Sequence, residues 1–190
     1  LSNPESEPVK VEGWVEVIVR DREGRVKYYV GSAVTKDREE GDPVVPPTLA
    51  SLPAKFQDFY WRKNIITNAG LAAIIRLVFA GLTETKFGYL AIGSGTTAEA
   101  ATDTALVQEI KRKAATVTQT TTSVSGDTAL LEATFSSADN LTGTANVCEA
   151  GIFNASTGGI LLARKTFSCV PVNWDAGDAI TIRYYVQMSR

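Results

Sequence analysis

Three groups of residues in this chain have the types and spacing that could do chemistry. Gly93-Ser94-Gly95-Thr96-Thr97-Ala98 follows an apolar run and fits the Gly-x-Gly-x-x-Ala pattern, in which backbone N–H groups cradle a pyrophosphate. That chemistry also needs a helix directly after the glycines, then a parallel strand, with an acidic residue about 20 positions on. A β pattern follows instead and no Walker lysine is present, so the glycines read as a turn between β elements. Glu132, Glu149 and Asp103 have apolar or strand-like neighbours, and two carboxylates are all that glycoside hydrolysis requires. Solvated strand faces and turn residues explain them more simply. Asp175-Ala176-Gly177-Asp178 offers oxygens to a calcium ion but lacks the regular ligand repeat of a calcium loop, and it reads as a plain turn.

The chain has no histidine, which removes the commonest general base and the commonest ligand for zinc, copper and iron. Its two cysteines, Cys148 and Cys169, are too few for a tetrahedral thiolate site and too far apart for a Cys-x-x-Cys redox pair. No catalytic residue, cofactor or metal site is expected, and the protein is not expected to be an enzyme. With 21 acidic and 19 basic residues and a formal net charge of -2, it carries no electrostatic footprint for nucleic acid. No apolar run reaches the roughly 18 residues of a membrane helix, so membrane insertion is not expected. The first residue is Leu1 rather than Met, the kind of end that a maturation protease or a signal peptidase would leave.

The aromatic residues Trp14, Tyr60, Trp61, Trp174, Tyr184 and Tyr185 could form a sugar-stacking surface or serve as core and interface groups. Aromatics concentrate in interface cores, so Trp14, Phe56, Phe59, Tyr60 and Trp61 are the expected protein contacts. Asn140 and Asn154 begin glycosylation acceptor patterns, which matter if the chain is secreted by a glycosylating host.

The elements that position these residues are mostly β. At 190 residues and 44% hydrophobic, the chain can bury one substantial core. Residues 1–10 read as an extended arm and 11–190 as a single β-sandwich domain. From Val11 onward Val15, Val17 and Val19 alternate with Trp14, Glu16 and Ile18, and the turn Asp21-Arg22-Glu23-Gly24 makes a hairpin with the strand that follows. Residues 36–53, holding Pro43, Pro46, Pro47 and Pro53, form a connector. A helix is expected over about 68–80, capped by Thr67 or Asn68 and ended near Gly81; its apolar face of Leu71, Ile74, Ile75 and Val78 should be covered by a sheet. Strand patterns then recur at 87–92, along a continuous region at 106–122, at 131–135, 147–153, 160–169 and 179–188. About eight strands and one helix make the fold mainly β: an antiparallel β-sandwich or jelly-roll-like barrel with one flanking α-helix and an extended N-terminal arm. In the hairpin around residues 154–159, Cys148 falls opposite residues near 165. Two buried thiols are therefore the favoured reading; a bulge or a neighbouring strand is needed to join them.

Three segments carry a resemblance to a family: residues 63–77 (KNIITNAGLAAIIRL), 87–106 (FGYLAIGSGTTAEAATDTAL) and 149–164 (EAGIFNASTGGILLAR), with the hairpin at 11–30 compatible. They resemble a structural module of tailed-phage virions, of the tail-fibre-like or capsid decoration-like kind. The resemblance implies a non-enzymatic virion protein that self-associates as a homo-oligomer and attaches to a capsid or tail protein. The alternatives are a secreted cell-surface filament subunit assembled by strand donation, and a carbohydrate-binding adhesin that uses exposed aromatics on a glycan.

Overall fold

A computed structural model describes residues 9–31, 64–79 and 84–189. Most of the arm, the connector at 36–53, Gly81 and the aromatics Phe56, Phe59, Tyr60 and Trp61 lie outside the described residues. The fold is a β-sandwich of two five-stranded antiparallel sheets flanked by one helix. The first sheet holds, in spatial order, β2 (Val26–Gly31), β1 (Lys10–Arg20), β10 (Ala179–Ser189), β7 (Thr128–Phe135) and β6 (Thr116–Thr120). The second holds β3 (Ile65–Ile66), β9 (Leu161–Asn173), β8 (Thr144–Phe153), β4 (Tyr89–Gly93) and β5 (Glu109–Ala114).

Alternation decides which residues fill the space between the sheets. Val15, Val17 and Val19 of β1 and Ile180, Ile182 and Tyr184 of β10 share the core with Leu90, Ile92, Ala150, Ile152, Val170 and Val172 of the opposite sheet. Burying each large aliphatic side chain contributes about 1.5–3 kcal/mol. The β1–β2 turn closes as its residues predict: Asp21 Oδ1 accepts from the amides of Glu23 (3.0 Å) and Arg25 (2.9 Å), and Gly24 takes φ 80°.

The continuous strand expected over 106–122 is instead two strands in different sheets. Residues 94–108 form no strand; β5 then pairs with β4, and after Ala115 the chain crosses over so that β6 pairs with β7. The crossing carries the chain from one sheet to the other along one side of the sandwich.

The favoured reading of two thiols is also corrected. Cys148 and Cys169 form a disulfide, with Cα atoms 4.1 Å apart. Regular pairing would indeed separate them, but the register shifts between Val147, which faces Val170, and Glu149, which faces Thr166. Residues 167–169 thus bulge opposite Cys148 alone, and the bulge brings Cys169 alongside it.

The helix α1 (Asn68–Val78) starts where expected: the Thr67 side chain accepts from the Gly70 amide at 3.0 Å. Its orientation is not as expected. It leans on β9 through its small residues, Gly70 and Ala73, and a Cβ on Gly70 would lie 2.7 Å from the Leu162 backbone. Close approach of the backbones therefore selects the small face inward. Ile74 is half-buried, whereas Leu71, Ile75 and Val78, with Phe79 just beyond, face outward and are exposed.

Candidate functional site

The residues that looked most capable of chemistry meet on the outer face of the second sheet. Glu149 on β8 and Arg164 on β9 point away from the core, yet both are fully buried, because residues 94–108 fold over them as a strap. Leu106 from this strap packs on Ala91, Phe153 and Leu161, with Gly151 leaving room for it: a Cβ there would lie 2.9 Å from Leu106 Cδ2.

Glu149 accepts four hydrogen bonds. Its Oε1 takes the amides of Gly95 (3.0 Å) and Gln108 (2.8 Å), while Oε2 takes the amide of Val107 (3.1 Å) and Arg164 Nε (2.8 Å). Arg164 donates onward to the Thr97 carbonyl at 2.8 Å and to Asp103 Oδ2 at 2.9 Å. Burial works against the charge on Arg164, but Glu149 and Asp103 outweigh it and hold the guanidinium above its ordinary range. Next to this pair, Glu99 of the strap accepts from Lys165 and from the Thr166 hydroxyl. Burial alone would raise the Glu99 carboxyl, and these donors bring it below its usual value.

The glycine pattern therefore does cradle an anion, but the anion is the chain's own Glu149. A Cβ on Gly93 would fall 2.6 Å from Glu149 Oε1, and one on Gly95 would strike the same carboxylate and lie 2.6 Å from Val107 Cβ. Both glycines are required by close approach to this carboxylate.

Of the three carboxylates considered for acid–base work, the fold brings Glu149 and Asp103 together on Arg164 and leaves Glu132 on the other sheet. A carboxylate that is saturated with donors and shielded from solvent is suited to anchoring a loop rather than to attacking a substrate. Glu132 receives Arg183 Nε, and Arg183 Nη1 reaches the buried Glu16 at 3.3 Å, which also accepts from Tyr29 Oη at 2.7 Å. These charges form a ladder across β1, β10 and β7. Asp178 of the turn at 175–178 accepts Lys27 Nζ (2.6 Å) and the Asn173 amide (3.0 Å), and Asp175 accepts the Gly143 amide (2.9 Å). Among the described residues no group of three or more acidic or cysteine side chains is placed to hold a metal ion.

Two expectations are corrected by burial. Trp14 is 4% exposed and stacks on Tyr185 with ring centroids 5.5 Å apart, and Trp174 is 2% exposed within the core. Neither offers a platform to a sugar or an open face to a partner. Asn154 is also buried: its Nδ2 donates to Glu84 Oε1 at 2.9 Å and its Oδ1 accepts the Ile160 amide at 2.6 Å. The nitrogen that a glycan would occupy is thus engaged by Glu84, while the oxygen beside it closes the β8–β9 loop. Asn140, by contrast, is exposed and takes φ 61° after the turn Ser137–Asp139.

Arg164, Lys165 and Glu99 do not stand out in the sequence, although a signal exists: Arg164 and Lys165 interrupt an apolar strand run, and Glu149 interrupts another. Charges inside such runs break the local pattern, and here they mark the strap's anchor. The chain matches no family model, no curated protein and no solved structure.

Proposed function

We propose that this protein is a non-enzymatic structural component of a tailed-phage-like virion, a β-sandwich that self-associates and attaches to a capsid or tail as a decoration or fibre element. The observation that carries this reading is the outward apolar stripe of α1: Leu71, Ile75, Val78 and Phe79 are 42%, 55%, 60% and 76% exposed. A contiguous apolar patch on a helix that already has a packed face is a mark of an interaction surface. Supporting it, Glu149, Asp103 and the glycines Gly93 and Gly95, which read as candidate chemistry, anchor a loop within the fold. Attachment in a lattice needs many modest contacts, and repetition supplies the strength.

The test is sedimentation velocity of the full chain over about 1–200 µM, the range where modest interfaces populate. Concentration-dependent oligomers are expected for the wild type. A protein that stays monomeric throughout would overturn the reading.

The secreted filament subunit is favoured by separate observations, the Cys148–Cys169 disulfide and the exposed Asn140. Intact mass of the native protein discriminates, because hexose-sized additions mapped to Asn140 favour the filament and an unmodified mass favours the virion.

A further inference from the structure

The outer face of the first sheet is buried along one half. Val15 and Val17 of β1 and Ile180 and Ile182 of β10 point into the core, so Trp14, Glu16, Ile18 and Tyr185 point away from it. Tyr29 of β2 stands opposite Ile18 and shares that side. Yet Glu16, Ile18 and Tyr29 are 1%, 3% and 4% exposed, and Trp14 and Tyr185 are buried with them. Further across the same side, on β7 and β6, Glu132 is half-buried and Thr134, Thr116 and Thr118 are exposed. Neighbours within a sheet stand beside a side chain rather than over it, so burial this deep on half of a face requires a layer on top. The strap at 94–108 covers the other sheet, and α1 leans on β9, so neither supplies that layer.

We infer that the layer is residues 32–63 of the same chain, with the aromatic run at 56–61 seated on Trp14 and Tyr185. The anchoring of the segment's two ends is the first argument. Gly31, the last residue of β2, pairs with Glu16, and Asn64 donates its amide to the Gly13 carbonyl at 2.9 Å. Glu16 and Gly13 are three residues apart on one strand, about 10 Å, so the chain leaves and returns at the border of the covered face. Gly13 adjoins Trp14, which puts the returning end nearest the Trp14–Tyr185 stack.

Composition agrees. The returning end carries Phe56, Phe59, Tyr60 and Trp61, and each aromatic side chain buries about 150–250 Å², a match in kind for the rings beneath. Residues 1–8 are polar apart from Leu1 and two prolines, and 80–83 follow a helix that packs on the other sheet. Charge agrees as well. Glu12 faces the same side just before Trp14, and the aromatic run ends in Arg62 and Lys63. The burial is that of one chain alone, which makes the contact internal to it. Phe56, Phe59, Tyr60 and Trp61 then belong to a second apolar layer that keeps water from Glu16, Tyr29 and Arg183, and are not contacts for another protein. This inference is independent of the self-association proposed above.

The test is photo-cross-linking in the full chain, with p-benzoylphenylalanine in place of Glu12 or, as the control on the open half of the face, in place of Thr118. Trypsin cuts after Lys55 and Arg62, so the aromatic run is recovered as the peptide 56–62. Links within one chain from position 12 to residues 32–63, chiefly to 56–62, are expected, with none to that segment from position 118. Links from position 12 to residues 1–8, to a second chain, or to nothing in 32–63 would overturn the assignment, and a link to a second chain would do so while favouring self-association. Hydroxyl-radical footprinting gives an independent readout. Trp14 should be protected in the wild type and oxidise several-fold faster in a Phe59→Ala/Trp61→Ala variant, while Trp174, inside the sandwich, stays protected and reports an intact fold. Trp14 that is already reactive in the wild type, or equally protected in a folded variant, would overturn the inference; a variant that fails to fold leaves the decision to the cross-links.

Discussion

Replacing Glu149 with alanine tests whether the strap at 94–108 is held by one buried carboxylate. Glu149→Ala leaves Arg164 buried, with Asp103 as the remaining carboxylate on its guanidinium, and strips the acceptor from the amides of Gly95, Val107 and Gln108. Removing one member of a buried ion pair costs about 3–5 kcal/mol, and each amide left without water adds about 1 kcal/mol or more. Against a typical domain stability of about 5–15 kcal/mol, this removes a large share. For a domain of this size the total of about 6–8 kcal/mol corresponds to a fall of about 12–32 °C in Tm. Glu149→Gln keeps an acceptor for Gly95 and Gln108 but turns an NH2 group toward Val107 and Arg164, so its cost should lie between those of wild type and Glu149→Ala. Glu132→Ala is the control: its carboxylate is 41% exposed and should cost under about 1 kcal/mol. Urea denaturation measures the three stabilities, and hydrogen exchange at Gly95, Val107 and Gln108 shows whether the strap has loosened. A Glu149→Ala protein within about 1 kcal/mol of wild type, or one destabilised with no faster exchange at those amides, would refute the reasoning.

Two further outcomes follow from other parts of the fold. Reduction of Cys148–Cys169 should lower stability by about 3 kcal/mol, given a sequence separation of 21, and exposed Cys169 gives a reductant access. Melting with and without reductant checks this, and an unchanged Tm with both thiols shown to be free would contradict it. The Asp127 carboxyl sits well below its usual range: burial would raise it, but the amides of Val124, Thr122 and Ser123 and the Gln187 side chain outweigh that. A lowered folded-state value contributes fully above the unfolded value of about 3.9 and is lost as pH falls below it. Asp127→Asn should therefore cost about 1.5–3 kcal/mol near neutral pH and flatten the loss of stability between about pH 4 and pH 2. Urea melts across that window decide the matter, and an unaltered slope counts against the assignment.

The positions where sequence reasoning succeeds share a physical property. Strand alternation, the Asp21–Gly24 turn and the Thr67 cap depend on residues within a few positions of one another, so period and turn chemistry report them directly. The errors arise where long-range packing decides. The expected strand at 106–122 shows no turn residue to break it, yet Ala115 divides it between sheets, because its charged part pairs with β4 and its threonine-rich part with β7. The amphipathic pattern of the helix is legible, but the side that packs is not. Hydrophobicity ranks Leu71 and Ile75 above Gly70 and Ala73, whereas the distance of approach to Leu162 admits only the small residues. Trp14, Trp174 and Asn154 are chemically able to bind sugar or carry it, and burial removes that ability.

By itself, then, the sequence determined a mainly antiparallel β fold with one capped helix, because those features are encoded in local periodicity and backbone preference. Tertiary structure alone decided what the charged and glycine residues do. Glu149 meets Gly95, Val107, Gln108 and Arg164 across separations of 15 to 54 residues. It also decided that Cys148 and Cys169 are joined, through a bulge that no periodic pattern announces, and that the helix turns its large apolar residues outward. The physical reason is common to all three: local sequence sets which conformations a segment prefers, but burial, register and close approach are properties of pairs of segments.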